Sequence, residues 1–180
     1  MNKRVLWITR TAVFVALLLV AQMITAPMGN QFVTGSVVNL ILIVSVMTCG
    51  LASGAAVAAV SPVFAKLIGI GPQLWSITPV QMAGNVVLIL LWHFIGNNRF
   101  LAGKDVGGVC ALVVAAVAKC ATLYAGVVLI VIPVLGLADK NPAQAATLTT
   151  MFSLPQIATA SIGGAFALVV LPLLRRAVKS

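Results

Sequence analysis

"CALVVAAVAKCATLYAGVVLIVIP", residues 110–133, is an apolar run interrupted by one charge, Lys119. At about 1.5 Å per helical residue, the run is long enough to cross the roughly 30 Å hydrocarbon core of a bilayer. A charged side chain near the centre of such a span costs roughly 2.5–3.5 kcal/mol on insertion scales. The run therefore points to a membrane helix and raises a functional question: what does the charge do there?

Composition extends this reading to the whole chain. It is 62% hydrophobic and 7% charged, against about 25% charged in a soluble domain, so a water-facing surface is excluded. The fold class expected is all-α: an integral membrane bundle forming a single transmembrane domain over residues 1–180. Six apolar segments separate, at 5–25, 33–49, 51–68, 74–95, 106–132 and 143–178. Turn formers mark the breaks "APMGNQF", "GIGPQ" and "PVLGLADKNPAQ", the last expected to be the longest loop. Pro79 falls in the first turns of the fourth segment, where proline is tolerated; Pro155 and Pro172 are expected to kink the sixth or trim its ends. The start has the layout of a signal peptide, but its apolar run has the length of a span and Pro27 follows the cleavage-like Ala26, so a retained first helix is expected.

The formal charge is +9, from eleven Lys or Arg against two acids. In a soluble chain that excess would suggest nucleic acid. Here the basic residues fall mostly between spans, so no nucleic-acid partner is expected and they report orientation instead. With both termini cytoplasmic, Lys3, Arg4, Arg10, Arg99, Lys104, Arg175, Arg176 and Lys179 all lie inside, and Lys140 alone lies in an outer loop. A multi-pass protein of the cytoplasmic membrane follows.

That orientation assigns depths to the polar side chains. Asn39, Gln81, Asn85, Lys119 and Gln156 fall between the midplane and the outer surface, and Lys66 falls near the outer end of the third segment. Thr78 shares the helix face of Gln81 and Asn85; Ser153 and Thr159 flank Gln156. Unpaired polar groups are costly in lipid, so the cheapest arrangement points them at one shared cavity opening outward. Trp75 fits either an aromatic belt or a cap on that pocket. The candidate substrate-binding set is Asn39, Lys66, Trp75, Gln81, Asn85, Lys119 and Gln156. Plainer roles stand beside it: Lys66 snorkelling to the interface, Lys119 bonded to backbone carbonyls, the amides joining helices. Asp105 and Asp139 sit at span ends, where neither neutralises Lys119. An anionic ligand would, so a small organic anion is the expected substrate; a neutral Lys119 is the alternative.

Much chemistry is missing. "AGKD" lacks the spacing of a Walker A loop and its Ser or Thr, no HExxH or GxSxG occurs, and no intramembrane carboxylate offers an ion-coupling site. His93 reads as interfacial, and Cys49, Cys110 and Cys120 as small buried hydrophobes without metal-ligand spacing. No catalytic residue, no metal site, no directly bound cofactor and no enzyme activity are expected. The sequence offers a binding cavity without an energy source.

The chain resembles the substrate-binding S component of an energy-coupling-factor (ECF) vitamin transporter. Its length, its topology and its lack of energising residues carry the resemblance. So do "TRTAVFVALLLVAQ", with an Ala-x-x-x-Ala pattern at Ala12 and Ala16, "GNQFVTGSVVNLILIVSVMTCGLASG" and "SPVFAKLIGIGPQLW". The resemblance implies capture of a vitamin-like micronutrient at the outer face. It implies docking through Ala12 and Ala16 on a transmembrane coupling protein, with ATP used by two cytoplasmic ATPases. It also implies gating by the loops at 28–32, 69–75 and 134–144, and, given the lysines, an acid such as pantothenate, lipoate, nicotinate or biotin. Two other classes remain: a small oligomeric secondary transporter or channel, and a membrane assembly protein that binds no small molecule.

Overall fold

The computed structural model describes residues 3–67, 69, 74–97 and 106–179. Ile68, Ile70–Gln73, Arg99, Lys104 and Asp105 lie outside the described residues, as do the side chains of Lys3, Arg175, Arg176 and Lys179. Every element described is helical. Helix α1 (Lys3–Thr25) leads through a 3-10 turn at Ala26–Met28 into α2 (Gln31–Cys49), and α3 (Leu51–Leu67) follows directly. A 3-10 turn at Trp75–Ile77 opens α4 (Thr78–Gly96). Helix α5 (Val106–Tyr124) continues through a π-helical stretch, Ala125–Val131, into the short α6 (Ile132–Leu135) and α7 (Leu137–Lys140). Helices α8 (Pro142–Met151) and α9 (Leu154–Lys179) complete the chain.

Five helical runs are long and apolar enough to cross a membrane: Arg4–Met28, Gln31–Cys49, Trp75–Gly96, Val106–Leu135 and Pro142–Leu174. The apolar α3 has 17 residues, about 25 Å, short of the roughly 30 Å hydrocarbon core. Val13, Leu17, Val113, Val117, Val169 and Leu173 point outward and are half or more exposed, while Asn39, Asn85 and Lys119 are buried. Apolar outside and polar inside is the pattern of a bundle whose solvent is lipid.

The main core centres on α2, where Ile41, Leu42, Ile43 and Val46 pack among Leu88, Ile89 and Trp92 of α4, Ala111 and Ala115 of α5, and Ala160 and Ala167 of α9. Alanines on α5 and α9 let the helices close on one another, as small residues do in membrane bundles. Helix α9 approaches α2 closely at Gly163, where a Cβ would stand 2.6 Å from the Ser36 carbonyl oxygen and 2.8 Å from the Asn39 Cβ. Backbone meets backbone there, and Asn39 takes its position from the contact. Gly163→Ala is therefore expected to destabilise the fold by about 1–3 kcal/mol, the cost of overpacking. A thermal unfolding curve of the purified protein checks this, and an unchanged Tm would mean that α2 and α9 separate freely.

Two expectations about the chain's course are corrected. The segment 143–178 is two helices, not one. The Phe152 N–H closes α8 on the Leu148 carbonyl, and Pro155, in the first turn of α9, starts a new helix rather than kinking an old one. The expected long loop at 133–144 is mostly helix, because Gly136 ends α6 at φ 60° and Asn141 caps α8 through its Oδ1, which accepts the Gln144 N–H at 3.1 Å. The run 106–132 changes register partway. The Ile132 N–H donates to the Val127 carbonyl, five residues back, and Pro133 beyond it has no N–H to restore the four-residue ladder.

Candidate functional site

The connection after α1 begins the site. Asn30 caps α2, its Oδ1 accepting the Phe32 N–H at 2.9 Å, and this fixes the direction in which α2 leaves. Asn39 follows on the buried face of α2. Helix α4 places Gln81 and Asn85 four residues apart on one face, and α5 contributes Lys119 from its buried side. Thr159 and Gln156 come from the first turns of α9, just past the break after α8.

These side chains converge. The Lys119 Nζ donates to the Asn39 Oδ1 at 2.5 Å and to the Asn85 Oδ1 at 2.8 Å. Lysine is a donor only, so both amides turn their oxygens toward it. Their nitrogens face away: the Asn39 Nδ2 donates to the Thr159 Oγ1 and the Asn85 Nδ2 to the Ala58 carbonyl, each at a long 3.5 Å. The Thr159 hydroxyl in turn donates to the Gln156 carbonyl at 3.2 Å. Lys119 thus ties α2, α4 and α5 together, and Thr159 extends the network to α9. The expected alternative for Lys119, bonding to backbone carbonyls, is replaced by bonding to two side-chain amides.

The cluster lines a cavity of about 300 Å³. Gln81 and Gln156 line it too, so five of the seven expected residues share one wall. Lys66 and Trp75 are not among the described lining residues: the Lys66 Nζ lies 5.9 Å from the Trp75 ring centroid, and Trp75 is 56% exposed. Lys66 follows the lining residue Ala65 by one position, which turns it about 100° around α3 and away from the cavity. Gln22, Gln31, Thr34 and Ser61, none of them in the expected set, also line the cavity. Gln31 and Gln156 both donate to the Met151 carbonyl, at 2.8 and 2.9 Å, which fastens the end of α8 to α2 and α9. No acidic side chain stands among the described lining residues, and Asp139 is exposed on α7.

A second surface has the opposite character. Trp7, Ile8, Ala12, Ala16, Val60 and Phe64 line an open apolar groove between α1 and α3. The Thr11 hydroxyl donates to the Ser53 Oγ at 2.9 Å and pins the two helices together beside it.

The model of one protein family, ECF transporter, substrate-specific component, matches residues 7–175. The chain belongs to that family. This S component is the membrane-embedded, substrate-binding subunit of an ECF importer, and its partners are a small-molecule substrate and an ECF coupling module. The secondary-transporter and assembly-protein alternatives are set aside accordingly. No curated protein and no solved structure matches the S component.

Proposed function

We propose that this S component captures a small organic anion of the micronutrient class from outside the cell, with Lys119 as the partner of the anionic group. The observation that carries the proposal is the Lys119 amine, held by two amide oxygens in the wall of a cavity with no carboxylate among its described lining residues. Lys119 has three N–H donors, and Asn39 and Asn85 take two. The third is left for a ligand, where a charge-assisted bond is roughly twice as strong as a neutral one. Asn39, Asn85, Gln81 and Gln156 supply the remaining polar contacts.

The assembly we propose around this site is a bundle of six crossing helices in the cytoplasmic membrane, both termini inside. Helix α3 supports the sixth crossing despite its length: its last turns contribute Ser61, Pro62 and Ala65 to the same cavity that the α1–α2 connection reaches. The S component performs no catalysis and holds no cofactor. A transmembrane coupling protein docks on the groove at Ala12 and Ala16, and two cytoplasmic ATPases consume the ATP. Native mass spectrometry of the purified S component tests the reading. A co-purified acidic metabolite is expected; a bound neutral or cationic molecule would remove Lys119 from its role.

A further inference from the structure

The chemistry of the lining narrows the ligand further, on the proposed reading that this cavity holds the cargo. Among the described lining residues its positive charge is a single lysine, and every other one is neutral. With two of three ammonium protons already committed, Lys119 meets one oxygen of an anion. It does not form the two-pronged clamp that favours phosphate at arginine sites. One charge met at one point fits a monocarboxylate better than a dianionic phosphate, whose second charge would stay buried and unpaired.

The rest of the wall is amide and hydroxyl. Gln22, Gln31, Gln81 and Gln156 line it with Thr34 and Ser61. Gln22 is 7% exposed, and its Oε1 is buried with no hydrogen-bond partner among the described residues. A buried acceptor left unmatched costs about 1–3 kcal/mol, and the amide lies in the wall of a cavity where a ligand donor can meet it. Gln22 comes from α1, three residues before its end, and Lys119 from α5, so a ligand that meets both would bridge these two helices across the cavity. Aromatic walls are scarce: among the described lining residues only Phe152 is aromatic, and it is packed in an apolar cluster with Leu123, Val127 and Leu148. A flat ring system would find no pair of stacking faces. At about 300 Å³ the cavity is also at the small end of ligand sites.

From this lining we infer that the ligand is a small, non-aromatic monocarboxylate whose body carries hydroxyl or amide N–H donors, with its carboxylate on Lys119 and a donor on Gln22. Gln22 is then a specificity residue that selects a hydrogen-bonding body over an apolar one.

Isothermal titration of the purified S component with four probes tests this. Pantothenate has the inferred chemistry, and pantothenol differs from it by an alcohol in place of the carboxylate. Nicotinate is an aromatic acid and lipoate an acid with an apolar body. Pantothenate is expected to bind, pantothenol about 100-fold more weakly, and nicotinate and lipoate at least ~10-fold more weakly. Gln22→Leu is expected to weaken pantothenate about tenfold and to leave its advantage over pantothenol unchanged. Should that variant not fold, the wild-type panel alone decides the ligand class. Equal binding of pantothenol, or binding of nicotinate or lipoate as tight as pantothenate, overturns the inference and leaves the cavity reading standing. If none of the four binds, the molecule seen by native mass spectrometry decides: a non-aromatic hydroxy or amide monoacid upholds the inference, and any other class overturns it. An empty protein that binds no probe overturns the cavity reading as well.

Discussion

Lys119→Met is expected to lower ligand affinity by at least ~100-fold, about 2.7 kcal/mol at 1.4 kcal/mol per tenfold. Methionine keeps the length and apolar stem of the side chain and removes the ammonium. The anionic group of the ligand would then enter a cavity with no other cation among its described lining residues. Breaking one side of a buried ion pair costs about 3–5 kcal/mol, because the remaining charge is uncompensated. The substitution also reaches the fold. Asn39 and Asn85 have turned their oxygens to Nζ at 2.5 and 2.8 Å, and each buried acceptor left without a donor costs about 1–3 kcal/mol. The single variant is therefore expected to unfold at a lower temperature, even though the insertion cost of the lysine has gone. A companion variant separates the two effects. Replacing all three partners at once, Lys119→Met with Asn39→Leu and Asn85→Leu, removes the acceptors together with the donor. Exchanging every partner for apolar groups of similar shape is close to neutral for stability. The triple variant should recover thermal stability relative to the single one and still fail to bind. Titration with the co-purifying metabolite, alongside unfolding curves, reads both. Undiminished affinity in a folded Lys119→Met protein would mean that the ammonium serves the fold alone.

The same energetics explain which parts of the site could be read from sequence. A polar side chain in the middle of an apolar run is costly wherever it points, so Asn39, Asn85 and Lys119 announce a shared interior by their positions in the chain. Gln81 and Gln156 stand out for the same reason. Gln22 and Gln31 do not, because they lie near helix ends, where an amide that reaches interfacial water costs little and signals nothing. Lys66 and Trp75 have the opposite fault: each has the right chemistry at the right depth, yet one position around α3 turns Lys66 from the cavity toward the indole. Helix phase at the end of a span is set by packing, not by hydropathy. The division of 143–178 turned on Pro155, which is visible in the sequence. A proline can kink a helix or begin one, and the closure of α8 by Phe152 on Leu148 decides between them. The π-helical stretch before Pro133 leaves no mark in an all-apolar run, because a register change alters which carbonyl is used and not which residues are buried.

Ala12→Leu combined with Ala16→Leu is expected to abolish stable co-purification with the coupling module while leaving ligand binding intact. Both alanines are exposed on α1 and line the open groove completed by Trp7, Ile8, Val60 and Phe64. In a bilayer there is no hydrophobic drive between apolar surfaces, so helices associate by close packing, and small residues permit it. Two leucines fill the groove and hold a partner helix off by the length of their side chains. Dispersion attraction across such a gap falls away; it is only ~0.1–0.2 kcal/mol for one pair of atoms, but a buried side chain engages tens of such pairs. The ligand cavity should not sense the change. Gln22 is the α1 residue that lines it, and a step of six residues from Ala16 places Gln22 roughly 120° around the helix, on a different face. Val13→Leu provides the control, since Val13 is 58% exposed and is not part of the groove lining; added bulk there should leave assembly unchanged. Co-expression with the coupling protein and ATPases, followed by purification through the S component, measures the yield of complex. Wild-type yield from the double variant would place the docking face elsewhere. Loss of ligand binding together with docking would show that the groove and the cavity are not independent, and would make α1 a shared wall of both.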